Sequence, residues 1–253
     1  MPIMRYLRPI SARRRVFGIN DKTIYFVRHG RTEWNAIGRM QGQMNSSLDA
    51  VGRRQAEVHG RLLAAVGVDS VIASPLDRAR QTVEIVGRFV EVAPVFDPRV
   101  MEWDCGDWSG QLRAEVRQRW PGEWAALEAD PYHYRGPRCE NYPDMIARVR
   151  PFVDELVSGP GRRIAVISHG MIGRIMVGLL MSFGEPEMLA FRQPNQVIYR
   201  VRLGPGAETT AAVADKGALV AAAMPERTGP RSGPARLDHF VGGLGPFEGV
   251  VPR

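Results

Sequence analysis

Apolar residues along this chain follow two rhythms. Thr23–Val27 (TIYFV) is an unbroken run of β-branched and aromatic residues, which predicts a strand buried on both faces. Beyond it the spacing changes. Val51, Val58, Leu62 and Val66 recur at steps of four or seven, so Ala50–Val66 reads as a helix with Asp49 as its N-cap and Gly67 as its end. The same switching continues downstream. Strands are expected over Val68–Ala73, Val90–Phe96, Arg163–Ile167 and Val197–Leu203. Helices are expected over Leu76–Phe89, with Ala79, Val83 and Val86 on one stripe, over Pro143–Val157, and from Gly170 to about Phe183. Leu112 to Tyr142 mixes short helical pieces with Pro-Gly breaks. Strands alternating with helices at this spacing predict a three-layer α/β/α sandwich on a mostly parallel sheet, with a small helical cap from the middle segment.

The two ends depart from the pattern. Residues 1–20 hold five arginines and no acid, and read as a basic, disordered leader. Those five account for most of the net charge of +7, leaving +2, which weakens any nucleic-acid reading. Import into an organelle is the alternative for an Arg-rich leader, although this one has a single serine and two prolines. Residues 204–253 contain nine Gly and six Pro, so that tail is expected to be largely irregular, with one weak strand or helix near Ala211–Met224. The folded unit is therefore placed at residues 21–203, with a cap insertion at 111–142. No apolar run approaches the ~18–20 residues of a membrane span. Cys105 and Cys139 form neither a CxxC metal motif nor a disulfide framework, which favours a reducing, cytoplasmic setting. Oligomeric state is not written in the pattern.

Chemistry concentrates at strand ends. Arg28-His29-Gly30 follows the first strand and Ser168-His169-Gly170 the fourth. In open α/β sheets ligands sit beyond the carboxyl ends of strands. A glycine there permits a sharp turn and a close backbone approach. The helix opening at Gly170 offers partial positive charge to an anion. One His-Gly turn is commonly structural; two at strand ends, one behind an arginine, point to a site.

These strings resemble the histidine phosphatase superfamily, in the branch that holds phosphoglycerate mutases and small phosphatases. RHGRTEWN matches R-H-G-x-T-x-x-N, SPLDRARQT matches S-x-L-x-R-A-x-x-T, DPRVMEWDCGDWSG matches an acidic motif ending G-x-W-x-G, and SHG closes the set in family order. The resemblance implies a phosphohistidine enzyme: His29 as nucleophile, Arg28 and Arg78 as a phosphoryl clamp, His169 as a second imidazole, and Glu102 as the acid and then base. Asn35 and Gly170 complete the phosphate site. Guanidinium forks match phosphoryl oxygens and supply charge without a metal or cofactor. No GxxxxGK[ST] or HExxH is present.

The cap string EVRQRWPGEWAALEADPYHYRGPRCEN is similar to that of broad-specificity and α-ribazole-type phosphatases. It departs at Cys139, where glycine is expected, and at Asn141, where serine is expected; Glu140 is kept. Asn45 and Ser47 stand where relatives have Asp and Pro. Glu140 and Asn141 are taken as cap residues facing substrate. The expected activity is hydrolysis of a small phosphorylated metabolite, with no nucleic-acid or membrane partner. A mutase, or a binding protein reusing the fold, are the alternatives.

Overall fold

The computed structural model describes residues 22–203, 207–215, 218–222 and 235–237, the last three segments as backbone strands only. The basic leader lies outside the described residues. In chain order the elements are β1 (Lys22–Arg28), α1 (Glu33–Ala36), α2 (Ala50–Ala65), β2 (Ser70–Ala73), α3 (Asp77–Val86), β3 (Pro94–Phe96), α4 (Arg113–Arg119), α5 (Pro121–Ala129), α6 (Tyr142–Ser158), β4 (Arg163–Ser168), α7 (Gly170–Met181), α8 (Glu185–Ala190), β5 (Val197–Leu203), β6 (Ala207–Asp215), β7 (Ala218–Ala222) and β8 (Ala235–Leu237).

The sheet runs β3-β2-β4-β1-β5-β6-β7, with β8 also on β6. The β3, β2, β4 and β1 strands are parallel, and β5 pairs antiparallel with β1. Because side chains alternate across a strand, a run buried on both faces must serve two cores. Ile24 and Phe26 join Ile164 and Val166 in a core roofed by α6 and α7. Tyr25 and Val27 join Ala165 and Ile167 in a second core roofed by Leu62 and Leu63 of α2 and Val83 and Val86 of α3. The sheet is thereby covered on both faces, as the sequence predicts.

That covering creates the site. The helix after β1 lies on one face and the helix after β4 on the other, so the chains diverge at the carboxyl edge between these adjacent strands. Such a divergence leaves a crevice. Arg28 pairs with Ser168 at the ends of β1 and β4, which brings His29 and His169 out at the same level.

Several bounds shift. The β3 strand is three residues long rather than seven, matching the three positions of the short β2 that pair with it. Val90 instead packs into the core beside α3. Past Leu203, β6 pairs antiparallel with β5 and β7 with β6, so strands stand where the sequence suggested one weak element. The Gly and Pro residues behind that expectation fall between or beyond these strands.

Candidate active site

His29 follows β1 directly. Its backbone N–H donates to the Ser168 carbonyl at 2.9 Å, and its own carbonyl accepts from the Asn195 side chain at 2.7 Å. The ring is 2% exposed, with Nδ1 2.7 Å from the Gly30 carbonyl oxygen. A carbonyl only accepts, so Nδ1 carries the proton and Nε2 keeps its lone pair. Burial, then the charges of Arg78 and Arg28, hold this imidazole well below the usual histidine range, so it is neutral near pH 7.

The close approach at Gly30 is made to the protein's own backbone. The φ of this glycine is not positive. Instead, a Cβ on Gly30 would fall 2.2 Å from the carbonyl oxygen of Gly52, and one on Gly52 would fall 2.0 Å from the carbonyl oxygen of Arg31. The two glycines let the first turn of α2 press against the loop carrying His29. Close approach, rather than a left-handed turn, excludes a side chain here.

His169 stands beside His29, with ring centroids 5.2 Å apart. It is fully buried, Nε2 lies 2.7 Å from Ser74 Oγ, and Nδ1 has no protein partner. Burial first, then Arg78, keep it neutral as well.

Two arginines approach the pair. Arg78, on the first turn of α3, is 1% exposed. It donates to the carbonyls of Met44 and Gly42, each at 2.7 Å. Arg28 donates to the Gln193 carbonyl at 3.0 Å. Its guanidinium lies over Gly170, where a Cβ would sit 3.2 Å from Cζ. Neither forms an ion pair among the described residues, and the Nε of each is buried without a partner. Burial lowers both, Arg78 to about 10, and Glu102 opposes that shift in each. Guanidinium groups held this way are short of an anion.

Glu102 sits on the loop before the cap. Its carboxylate accepts the N–H groups of Trp103 at 3.0 Å, Met171 at 3.2 Å and Ile172 at 3.3 Å. It therefore docks on the first turn of α7, whose amides have no partner within the helix.

The remaining expected residues are placed elsewhere. Asn35 forms a capping box at α1: its Oδ1 accepts the Thr32 N–H while its own N–H donates to Thr32 Oγ1. Glu140 spends both oxygens on Arg148, at 2.8 and 2.7 Å, and accepts the Asp104 N–H. Arg148 in turn donates to the carbonyls of Arg99, Met101 and Glu102. Asn141 is the N-cap of α6 and donates to the His133 carbonyl. The structure thus sets Glu140 and Asn141 into the framework that holds the Glu102 loop and α6, not beside the histidines. Around them, Trp108, Trp124, Val116, Cys105 and Cys139 give the cap its own small core.

Sequence reasoning did not single out Ser74, Thr82, Gln193 or Asn195. Ser74 and Thr82 are the first and last letters of the SPLDRARQT string, a signal within reach: Thr82 Oγ1 accepts the Gly30 N–H and donates to the Arg78 carbonyl. Gln193 and Asn195 lie in the turn before β5 and carry no motif. Among the described residues, no group of three or more His, Cys, Asp or Glu side chains is arranged to hold a metal ion, and no helix is long and apolar enough to cross a membrane.

Known proteins resemble this chain in sequence and fold. The family model described as "Histidine phosphatase superfamily (branch 1)" matches residues 24–216. An Erwinia tasmaniensis protein named "Probable phosphoglycerate mutase GpmB" is 33% identical over 180 residues, covering 70% of this chain and 83% of its own. Phosphoserine phosphatase 1 of Hydrogenobacter thermophilus is 28% identical, covering 68% and 82%. Among solved structures, a mycobacterial glucosyl-3-phosphoglycerate phosphatase in complex with VO3 superposes with a TM-score of 0.64 at 27% identity, covering 71% of this chain and 90% of that one.

Proposed function

The chain belongs to branch 1 of the histidine phosphatase superfamily, and we propose that it is a metal-independent phosphomonoesterase working through a phosphohistidine at His29. One observation carries the reading. The Gly30 carbonyl fixes the proton of His29 on Nδ1, which leaves Nε2 its lone pair, and the charges that reach this ring are those of Arg78 and Arg28, whose buried Nε atoms lack a partner.

In the first step, the His29 Nε2 lone pair attacks phosphorus and the ester P–O bond breaks. Glu102 gives its proton to the departing alkoxide oxygen. Arg28 and Arg78 face the charge on the equatorial oxygens, a preorganised clamp worth several kcal/mol in comparable sites (about 3 per strong donor). If Ser74 donates its hydroxyl proton to His169 Nε2, the Nδ1 proton of His169 is left to donate to the same oxygens. In the second step, Glu102 takes a proton from water, water oxygen bonds to phosphorus, and the P–N bond breaks to return neutral His29 and free phosphate. Gly170 completes the site by giving Arg28 room. The substrate is a small phosphorylated metabolite, and two free buried thiols suit a reducing cytoplasm.

A mutase differs only in where the phosphoryl group goes next, and the Erwinia relative's name keeps that reading in play. Turnover of p-nitrophenyl phosphate in EDTA, compared with His29→Ala, tests the proposal. Activity that survives EDTA and disappears in the variant supports it. Loss of activity in EDTA refutes the metal-free step. Isomerisation of a phosphoglycerate outpacing hydrolysis favours the mutase.

A further inference from the structure

Three arginines share one feature: Arg28, Arg78 and Arg174 each have a buried Nε with no hydrogen-bond partner. The first two face the phosphoryl pocket. Arg174, on α7, is 9% exposed and makes no ion pair among the described residues. Its one hydrogen bond goes to the Tyr142 hydroxyl, which points its own proton at the sulfur of Met171, 3.9 Å away. A guanidinium has five N–H donors, and here one protein acceptor, the neutral Tyr142 hydroxyl, meets them while Nε is buried without any. Arg148 shows the contrast: it is bidentate to Glu140.

Position says what would satisfy Arg174. Gly170 and Arg174 are one turn apart on the same face of α7, about 6 Å along the helix. Since the Arg28 guanidinium rests on Gly170, Arg174 lies next along that face, and its charge reaches Arg28. It also stands on the leaving-group side. Glu102, which protonates the departing oxygen, is bound to the Met171 N–H, and Met171 carries the contact to Tyr142 and so to Arg174. Arg192 adds a cation at the exposed rim, one residue before Gln193, whose carbonyl holds Arg28. Arg192 is kept below its usual range by partial desolvation, then by Arg174 and, more weakly, Arg113.

We infer that Arg174, with Arg192 at the rim, forms a second anion subsite beside the phosphoryl pocket, so that the substrate is a phosphomonoester whose alcohol portion carries another negative group. This rests on the phosphatase reading for the direction of the leaving group. A third arginine on the same phosphoryl group would be the simpler arrangement, and the two make opposite predictions.

The test compares glycerol 3-phosphate with 3-phosphoglycerate, which adds a carboxylate, and with 2,3-bisphosphoglycerate, which adds a second phosphate. The wild type is expected to favour at least one of the doubly anionic esters by about 10-fold or more in kcat/KM. Arg174→Gln should shrink that ratio by about 10-fold, and Arg192→Gln by about 3-fold. Arg192 is exposed, so its variant keeps the test alive if Arg174→Gln does not fold. A wild-type ratio near one overturns the inference. So does a ratio that Arg174→Gln leaves unchanged while all three esters slow together. Equilibrium binding of the three esters to His29→Ala reads the same ratio without turnover. A protein that binds selectively but hydrolyses nothing would therefore refute the phosphatase and retain the subsite.

Discussion

Replacing Glu140 by glutamine tests whether this carboxylate supports the site or touches substrate. Glu140 makes two charge-assisted hydrogen bonds to Arg148, and both side chains are 20% exposed. Hydrogen bonds to charged groups contribute about 1.5–3 kcal/mol, and breaking a fully buried pair costs about 3–5 kcal/mol. Here the loss should be smaller. Arg148 keeps three carbonyl acceptors on Arg99, Met101 and Glu102, and glutamine retains an oxygen for the Asp104 N–H. We expect a destabilisation of about 2 kcal/mol, read as a lower urea midpoint at constant slope. The catalytic effect follows from the loop. Arg148 ties down the segment bearing Glu102, and a misplaced proton donor harms poor leaving groups most. Turnover of an alkyl phosphomonoester should fall about 10-fold, against about 2-fold for p-nitrophenyl phosphate, whose leaving group needs little protonation. Arg148→Met should show the same pattern, and the double variant should be no worse than the more damaged single one. Unchanged stability with a rise in KM for one substrate alone would refute the reasoning and return Glu140 to the substrate-facing role.

Two further outcomes follow from packing and charge. Gly30→Ala forces a methyl to 2.2 Å from the Gly52 carbonyl oxygen, so it should lose about 3 kcal/mol or more in urea melts and nearly all activity; wild-type stability would contradict the close-packing account. His29, His59 and His169 are buried and held below the usual value of 6.5, His59 at about 4. The unfolded chain therefore binds more protons than the folded one below pH 6.5, and stability is lost as pH falls. His59 should cost about 2 kcal/mol at pH 5 relative to pH 7, its loss levelling off near pH 4, and His29 and His169 act in the same direction; a urea midpoint unchanged between pH 7 and pH 5 would contradict this.

Much of this was legible because it depends on local pattern. The β5 strand runs from Val197 to Leu203 as read, Asp49 caps α2, and the two His-Gly strings end adjacent parallel strands. What was not legible depends on partners distant in sequence. Nothing near Arg78 announces that the carbonyls of Gly42 and Met44 hold it, because backbone acceptors have no sequence identity. Glu140 was taken as substrate-facing because its cap string resembles that of small phosphatases; its partner, Arg148, lies about two helical turns into α6. Gly30 was read as a sharp turn that brings backbone close to a ligand, whereas the close neighbour is Gly52, brought in by packing. The tail read as irregular from Gly and Pro content, but those residues separate strands instead of filling them. Arg174 interrupts the otherwise apolar α7, and nothing local says what it faces.

The phosphoenzyme tests the central claim most directly. Wild-type protein mixed rapidly with a phosphomonoester, quenched in alkali and digested should yield one phosphorylated peptide, bearing its phosphoryl group on His29. That adduct should vanish on brief acid treatment, as a phosphoramidate does, and form no more slowly than product phosphate is released at steady state. Turnover with no adduct on His29, or an adduct on another residue, would contradict the account.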